Sequence, residues 1–368
     1  MGTSGTRAAP ALHPRCTRAA PALHRKLWGI LSPMAKMLTT AMIMHPVVRD
    51  ELMREDHLAR LEKTVALVSR EPLRNFSELD GRLSSIELLI TSWGCPPIDA
   101  AIVERMPRLR LIAHLAGSVK GFLDDVVWRR GILVTNAVAA NAVPVAEFTL
   151  AAILFANKRV IQLNRYYVHA RENRAPWTKE VANVGNYRKT VGIVGASHVG
   201  RLVIDHLKRF DLRVLLYDPY VTSMASRDLG VERVSLSELL ARSDVVSLHA
   251  PLLPETRHML GTRELALMPD GATLINTARG GLIEPNALDA ELQRGRIFAF
   301  LDTTEPEVLP KTSSLYDMPN VFLTPHITGS LGRETERLSD YIVAEIERYA
   351  RGAALKYLVR REQLPRLA

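Results

Sequence analysis

Cysteine is nearly absent from this chain of 368 residues, which carries only Cys16 and Cys95. Two thiols cannot form a disulfide framework, so the sequence excludes the class of small secreted domains that disulfides hold together. It favours a reducing, cytoplasmic setting. A long hydrophobic run is missing as well, because the longest apolar stretch, Val145 to Ala156, is interrupted by Glu147 and is too short to span a bilayer. We therefore predict no membrane partner.

Acidic residues are missing from the first 49 positions, where seven lysines and arginines stand. The formal net charge of the whole chain is +9, so the remainder carries only +2. Nucleic-acid binding would need the positive charge on the folded body. That body is nearly neutral, and we predict no nucleic-acid partner.

Apolar periodicity is also missing from residues 1–36, which contain the octapeptide TRAAPALH twice, at Thr6–His13 and Thr17–His24. Two copies of so short a unit cannot build a repeat fold. An Arg-rich, acid-poor leader fits an organellar transit peptide. The same composition favours two simpler interpretations: a disordered extension, or a start codon assigned upstream of Met34 or Met37. We predict that residues 1–36 lie outside the fold.

What the chain does have is a complete strand–turn–helix–strand unit at residues 189–220, KTVGIVGASHVGRLVIDHLKRFDLRVLLYDPY. Val191 to Val194 is a short apolar run, and apolar residues then recur at helical spacing from Val199 to Phe210. A second apolar strand ends on Asp218. This order predicts a dinucleotide site, where amides at the helix N-terminus hold a pyrophosphate and the carboxylate binds ribose hydroxyls.

The glycine fingerprint of this unit departs from GxGxxG, because positions 195, 197 and 200 are Gly, Ser and Gly. Alone, the motif fits an ordinary α/β turn equally well, but the flanking strands and the terminal acid favour a cofactor site. We expect the Ser197 hydroxyl to face solvent or a phosphate oxygen. Asp218 predicts NAD over NADP, since a carboxylate repels a 2′-phosphate and neither Pro219 nor Tyr220 offsets it.

Strand and helix patterns alternate along the rest of the chain, which predicts parallel sheets of the α/β class in two domains. The longest helical signal, residues 144–170, has Pro144 in its first turn and is predicted to cross between the domains. A C-terminal helix, Thr335 to Arg351, is predicted to return to the first domain. The other predicted elements are helices at 49–62, 98–104, 237–241, 263–268 and 285–293, strands at 65–68, 87–91 and 109–114, and six strands of the cofactor sheet at 191–194, 213–217, 244–248, 273–276, 298–301 and 321–324.

Polar residues follow three successive strands of the predicted cofactor sheet. Arg279 stands in INTARGGLIEP, Glu305 and Glu307 stand in LDTTEPEVLP after Asp302, and His326 stands in LTPHITGS. Singly, each has an ordinary structural explanation. Ligands gather beyond the carboxyl ends of parallel strands, so together these groups match what reversible hydride transfer to a 2-oxo acid requires.

An earlier loop, AGSVKGFLD at Ala116–Asp124, carries glycines that allow exposed amides. These amides would suit a carboxylate, although a plain strand–helix turn explains the loop equally well.

From about Met37 onward the chain resembles the D-isomer-specific 2-hydroxyacid dehydrogenase family. The resemblance rests on TVGIVGASHVG, the aspartate of YDP, LHAPLLPETRHML, INTARGGLIEPNAL, LDTTEPEVLP and NVFLTPHITGS, in family order and spacing. It implies two Rossmann-like domains, with a doubly wound parallel-sheet NAD-binding domain inserted into a smaller flavodoxin-like substrate domain. We place the boundaries at 37–142 for the first substrate-domain segment, 143–324 for the NAD-binding domain and 325–368 for the closing segment.

For the chemistry, the resemblance implies Arg279 as the binder of the substrate carboxylate and carbonyl, His326 as the acid/base and Glu307 as its carboxylate partner. Val308 stands where the family usually has proline, which leaves Glu305 as an alternative partner. Glu307 is preferred because 19 positions separate it from His326, as in the short-loop members. The amides of Gly117, Ser118 and Val119 are implied as a substrate-carboxylate clamp. The implied NAD contacts are Gly195, Ser197, His198, Val199, Gly200, Asp218, Ala250, Pro251, Thr256, Thr277, Ala278, Asp302 and Gly329.

The expected ligands are NAD and a small 2-oxo or 2-hydroxy acid, and no metal site is predicted. The family also implies a homodimer, with the helix at 144–170 as a candidate arm, and hinge closure near residues 142–144 and 325–330. A different class of function stays open, because the C-terminal-binding-protein corepressors of this fold use bound NAD(H) as a structural signal. A complete Arg–Glu–His set favours the enzyme.

Overall fold

The structure is a computed structural model that describes residues 37–79, 81–171 and 183–366. The predicted extension, residues 1–36, lies outside the described residues. Two parallel sheets organise the described chain, which confirms the predicted α/β class.

The first sheet holds five strands, of which the sequence patterns predicted three. The strands are β1 (Thr39–Ile43), β2 (Ala66–Leu67), β3 (Leu88–Thr91), β4 (Leu111–His114) and β5 (Leu133–Asn136). Their order is β2-β1-β3-β4-β5, and every pair is parallel, which is the flavodoxin-like order. All residues of β3 and β4 are buried, as is usual for parallel strands covered by helices on both faces.

The second sheet holds seven strands in the order β12-β11-β10-β9-β6-β7-β8. The strands are β6 (Thr190–Val194), β7 (Arg213–Tyr217), β8 (Glu232–Arg233), β9 (Val245–Leu248), β10 (Thr273–Asn276), β11 (Phe298–Leu301) and β12 (Val321–Leu323). The prediction of six strands was wrong by one, because β8 consists of two exposed charged residues at the sheet edge. The order reverses between β6 and β9, and in open α/β sheets ligands bind at this switch point.

Helices cover the faces of both sheets. They are α1 (Pro46–Leu52), α2 (Glu55–Thr64), α3 (Ala100–Arg105), α4 (Val126–Arg129), α5 (Val138–Asn157), α6 (Val160–Ala170), α7 (His198–Leu207), α8 (Ser223–Asp228), α9 (Leu236–Arg242), α10 (Thr262–Ala266), α11 (Pro285–Gln293) and α12 (Thr335–Ala350). The single helix predicted at 49–62 is two helices, because Met53 is extended and the His57 ring accepts the Arg54 amide, which starts a new helix.

The long helix predicted at 144–170 is wrong at its start and in its middle. Helix α5 begins at Val138, where the Asn136 side chain accepts the first amide, so Pro144 lies inside the helix and not in its first turn. The helix ends before Arg159, whose left-handed backbone, at φ +49°, separates it from α6. The break therefore comes from one backbone conformation that apolar periodicity does not encode.

Helix α5 joins the two sheets and crosses the predicted boundary at 142/143. Ala140 packs in the core of the first sheet with α2 and α12, whereas Ala146 and Ile153 pack against the second sheet. Among the described helices, α5 alone is long and apolar enough to cross a membrane, and 44% of its most apolar window is buried in the fold. The C-terminal helix α12 packs beside the first sheet through Leu338 and Ile342.

Candidate active site

The turn between β6 and α7 leaves no room for side chains at its two glycines. Gly195 has a φ of +96°, and a Cβ built there would lie 2.7 Å from the Ala250 amide nitrogen. A Cβ on Gly200 would lie 2.1 Å from the carbonyl oxygen of Gly195. Both glycines are therefore required by sterics, the first at the strand end and the second where the helix packs on the turn.

Ser197 occupies the middle position of this fingerprint without strain. Its backbone is extended, and its hydroxyl oxygen caps α7 by accepting the Gly200 amide at 3.3 Å. We expected the hydroxyl to face solvent or a phosphate, but the structure assigns it to the helix N-terminus. The next two residues, His198 and Val199, open the helix and line a cavity. Burial, and then the charge of Arg201, lowers the pKa of His198.

Asp218 ties the end of β7 to the same turn. One carboxylate oxygen accepts the Ala196 amide and the other accepts the Tyr220 amide, each at 2.8 Å. Each oxygen keeps acceptor capacity for a ribose hydroxyl. The carboxylate therefore shapes the turn and stays competent for the predicted cofactor contact.

A cavity of about 180 Å³ lies between the two sheets at the switch point. Ten predicted site residues line it: Gly117, Ser118, Ser197, His198, Val199, Ala250, Pro251, Thr277, Ala278 and Arg279. The structure adds five that sequence reasoning missed: Val138, Asn141, Ala142, Val145 and His249. The loop after β4 and the glycine turn after β6 thus face one space.

Some predicted contact residues serve the walls of this site instead of lining it. The Thr256 hydroxyl donates to the Pro251 carbonyl at 2.6 Å and accepts the Leu253 amide at 2.8 Å, which closes a turn. Val119 is buried in the core of the first sheet. Gly329 lies against Asn141, and a Cβ on it would approach the Asn141 amide oxygen to 3.3 Å.

Asp302, predicted as an NAD contact, is a buried loop anchor. One of its oxygens accepts the Thr324 hydroxyl at 2.5 Å and the Ile327 amide at 2.8 Å. The other accepts the Thr328 hydroxyl at 2.6 Å and the Thr328 amide at 3.1 Å. Four donors use the full acceptor capacity of a carboxylate, so Asp302 holds the His326 loop and keeps no lone pair for a cofactor.

Arg279 lines the cavity directly after β10. Its backbone is extended, and its Nη1 donates to the Ala278 carbonyl at 2.7 Å, which orients the guanidinium. Gly280 follows because a Cβ there would lie 2.0 Å from the Thr304 carbonyl carbon. A second cation stands nearby, since burial and then the charge of Arg279 lower the pKa of Lys120.

His326 and Glu307 form a hydrogen-bonded pair through Nδ1 and Oε1. Their side chains are 48% and 52% exposed, and His326 has a left-handed backbone at φ +55°. Glu305, the alternative partner, is instead paired with Arg257 and with His258 Nε2. Strands β10, β11 and β12 are neighbours, so Arg279, Glu307 and His326 follow three adjacent strand ends.

Three unpredicted side chains help to build the site, two of them in the cavity wall and one beneath the Gly117 loop. Burial lowers the pKa of His249 to about 3, and this neutral ring hydrogen-bonds the Ser247 hydroxyl at 2.9 Å beside the glycine turn. Burial likewise lowers the pKa of His114 to about 4, under the Gly117 loop. Asn141 accepts the Ser330 amide at 2.9 Å and so joins the two predicted hinge regions. His249 stands in the LHAPLLPETRHML motif but was not singled out there, whereas no local motif marks His114 or Asn141.

Comparison with known proteins gives the site a family context. Residues 150–328 match the family model described as "D-isomer specific 2-hydroxyacid dehydrogenase, NAD binding domain". The match covers the glycine turn, the cavity wall at Arg279, and the strand ends that carry Glu307 and His326.

Curated relatives extend the likeness over the first sheet. A D-3-phosphoglycerate dehydrogenase of Methanocaldococcus jannaschii is 31% identical over 336 residues, which are 90% of this chain and 60% of that protein. A glyoxylate reductase of Korarchaeum cryptofilum is 34% identical over 267 residues, which are 72% of this chain and 80% of that protein. A crystal structure of a Thermus thermophilus protein superposes with a TM-score of 0.68 at 30% identity, covering 87% of this chain and all of that one.

Proposed function

This chain belongs to the D-isomer-specific 2-hydroxyacid dehydrogenase family, and from that premise we propose that it interconverts a D-2-hydroxy acid and the corresponding 2-oxo acid with NAD. The observation that carries the proposal is the meeting of a cofactor-type glycine turn and Arg279 in one cavity, with a His–Glu pair at a neighbouring strand end. When bound, NAD supplies or accepts the hydride. Everything else in the reaction falls to side chains of this chain.

Arg279 is proposed to bind the substrate. A guanidinium presents a planar fork of donors that matches a carboxylate and can also polarise the adjacent carbonyl. The Ala278 carbonyl holds one end of that fork in place. The loop at Gly117 and Ser118 lies across the same cavity, and we propose that its amides bind the substrate carboxylate from the other side.

His326 is proposed to move the proton. In reduction, its imidazolium donates a proton to the ketone oxygen, and in oxidation the neutral ring takes a proton from the hydroxyl. Glu307 holds Nδ1, which leaves Nε2 for the substrate. Half-exposed side chains suit this role, because the ring must exchange its proton with solvent between turnovers.

The fit of the cofactor rests on the turn itself. Two glycines that admit no Cβ bring backbone close to where a pyrophosphate would lie, and the amides of His198 and Val199 open the helix at that point. The carboxylate of Asp218 favours NAD over NADP. These residues would hold the dinucleotide while Arg279 and His326 hold the acid.

The test is NADH oxidation followed by absorbance with a panel of 2-oxo acids. Glyoxylate and 3-phosphohydroxypyruvate represent the substrate types that the names of the relatives indicate. Hydroxypyruvate adds a small polar side chain, and phenylpyruvate and 2-oxoisocaproate represent bulkier ones. We expect turnover with at least one of them, and Arg279→Lys should raise its Michaelis constant while lowering kcat. A wild-type protein that binds NADH but reduces none of the five would overturn the proposal. No comparison favours the corepressor-like alternative.

We also propose a homodimer that uses α6. All eleven residues of α6 are described, and none of them is buried. Two of its large hydrophobic side chains are well exposed, Tyr167 at 51% and Val168 at 64%. A cavity of about 860 Å³ lies beside this helix, away from the proposed site. Light scattering should give twice the chain mass, and Val168→Asp should shift it toward the monomer. A cytoplasmic location stays a prediction from the cysteine count.

A further inference from the structure

Glu305 lies inside the turn that carries Glu307. The Thr304 hydroxyl closes this turn, at 2.8 Å from the Pro306 carbonyl oxygen and 3.2 Å from that of Glu307. Residues 304–307 therefore form one small structural piece. Any group that holds Glu305 also limits where the Glu307 carboxylate can be.

Arg257 and His258 hold Glu305 from a separate loop. The Arg257 guanidinium pairs with one carboxylate oxygen, and His258 Nε2 lies 2.9 Å from the other. The Glu305 side chain is 27% exposed, less than either the Arg257 or the His258 side chain. The hydrogen bond from His258, and then Arg257, holds the pKa of Glu305 below its ordinary range, so the group is an anion at neutral pH.

The same loop is bound to the turn behind Arg279. The His258 amide donates to the Gly281 carbonyl at 2.8 Å, and His258 has a left-handed backbone at φ +54°. A Cβ on Gly281 would approach the Glu305 carboxylate to 3.2 Å, and one on Gly280 would collide with the Thr304 backbone. Three loops thus meet at Glu305: the 257–258 loop, the turn after Arg279 and the turn before Glu307.

We propose that Glu305 is a positioning residue, which through Arg257 and His258 holds the 304–307 turn so that Glu307 stays on His326. The inference rests on the proposed function of the His326–Glu307 pair. Glu305 itself does not face the reacting atoms, because both of its oxygens are engaged by the 257–258 loop. Glu305 contributes by orienting Glu307.

An exposed ion pair alone would not support this role, since such pairs contribute little. Here one carboxylate bridges Arg257 and His258 from a single loop, at a point where Gly280 lets two backbones touch and Gly281 leaves room for the Glu305 carboxylate. Orientation matters more than stability in such a place, because a displacement of about 1 Å at a reacting group can cost up to about a hundredfold in rate. A partial loosening of the turn should therefore reduce turnover more than it reduces stability.

The test is a double-mutant cycle in kcat with the best 2-oxo acid substrate. We expect Glu305→Gln to lower kcat about tenfold with unchanged NADH affinity, and to have no further effect in a Glu307→Gln background. Glu232→Gln is the matched control, because Glu232 also pairs with an arginine, Arg242 at 2.8 Å, but at the far edge of the sheet. That control should keep wild-type kcat. Arg257→Gln should reproduce the same pattern if Glu305→Gln fails to fold.

Two results would overturn the inference alone. One is a Glu305→Gln enzyme with kcat within about twofold of wild type. The other is an equal loss in both backgrounds, since additivity would mean a general structural effect that does not pass through Glu307. Failure of the wild-type protein to reduce any 2-oxo acid would instead overturn the proposed function and this inference with it.

Discussion

Two histidine–glutamate pairs meet at the 304–307 turn, and they differ in their surroundings. His326 pairs with Glu307, and His258 pairs with Glu305, two positions earlier in the chain. Both histidines have left-handed backbones, at φ +55° and +54°. The Glu305 carboxylate has a second partner in Arg257 and is 27% exposed, whereas the Glu307 side chain is 52% exposed.

The difference teaches that a His–Glu pair is not by itself an acid/base site. A carboxylate that already pairs with an arginine is committed to structure, while one whose described partner is the imidazole can orient that ring for proton transfer. Position decides as well, because His326 follows the strand next to β11 in the sheet that carries the cofactor turn. Single substitutions can therefore separate the two pairs.

The largest effect is expected from removing each imidazole in turn. His326→Ala should lower kcat by about 10²–10⁴-fold, because proton transfer is lost, while His258→Ala should cost only about tenfold through a loosened loop. NADH binding, measured by fluorescence titration, should be nearly intact in both. Equal losses in kcat for the two variants would erase the distinction between the pairs.

The second effect concerns the support that Asp302 gives to the His326 loop. The Asp302 carboxylate accepts four hydrogen bonds. In Asp302→Asn one of its oxygens becomes an NH2 group, which cannot accept, so buried donors lose their acceptor and the free energy of unfolding should fall by about 3 kcal/mol. Urea unfolding followed by circular dichroism measures it. Asp205→Asn, at an exposed side chain, is the control and should leave stability unchanged. A loss no larger than the control's would mean that the buried anchor is dispensable.

The third effect is on the pH profile of reduction. Glu307→Gln keeps the shape of the side chain but removes the negative charge beside His326, so the optimum for reduction should move to lower pH. Glu305→Gln should leave the optimum in place, because it changes orientation and not the charge facing His326. If instead only Glu305→Gln moves the profile, Glu305 is the functional partner; if neither does, the dyad has no role in the reaction.

The smallest effect is the contribution of the Glu305 charge to the free energy of unfolding. The pKa of Glu305 is lowered in the folded state, first by His258 and then by Arg257, so its charge stabilises the fold above the unfolded value of about 4.3. That contribution is lost as the pH falls through the lower folded value. At neutral pH, Glu305→Gln should therefore be less stable than wild type by at most about 1 kcal/mol, and the difference should vanish in acid. Thermal melts at several pH values would show a constant difference if the ion pair contributes nothing.

Much of the proposed cofactor site could be predicted from the sequence, because its geometry depends on residues that are close together in the chain. Gly195 and Gly200 are required where backbone touches backbone, and Asp218 ends the second strand, so spacing along the chain is enough to place them. The sequence also predicted that Arg279, Glu307 and His326 follow neighbouring strands, and they do. Parallel strands place their carboxyl ends at one edge of the sheet. Local patterns failed at β8, which has no apolar residue, and at Arg159, whose left-handed backbone breaks the long helix.

The sequence by itself therefore determined the α/β class, the glycine turn and the three strand ends that carry the proposed chemistry, since each depends on periodicity or on sterics between near neighbours. The sequence preferred Glu307 over Glu305 as the partner of His326 by spacing alone, and the tertiary structure pairs Glu307 with His326 and Glu305 with His258. Only the tertiary structure decided that Asp302 anchors a loop and that Asn141 and His249 line the cavity. The physical reason is that a polar side chain hydrogen-bonds the groups that folding brings within reach, and most of those groups are distant in sequence.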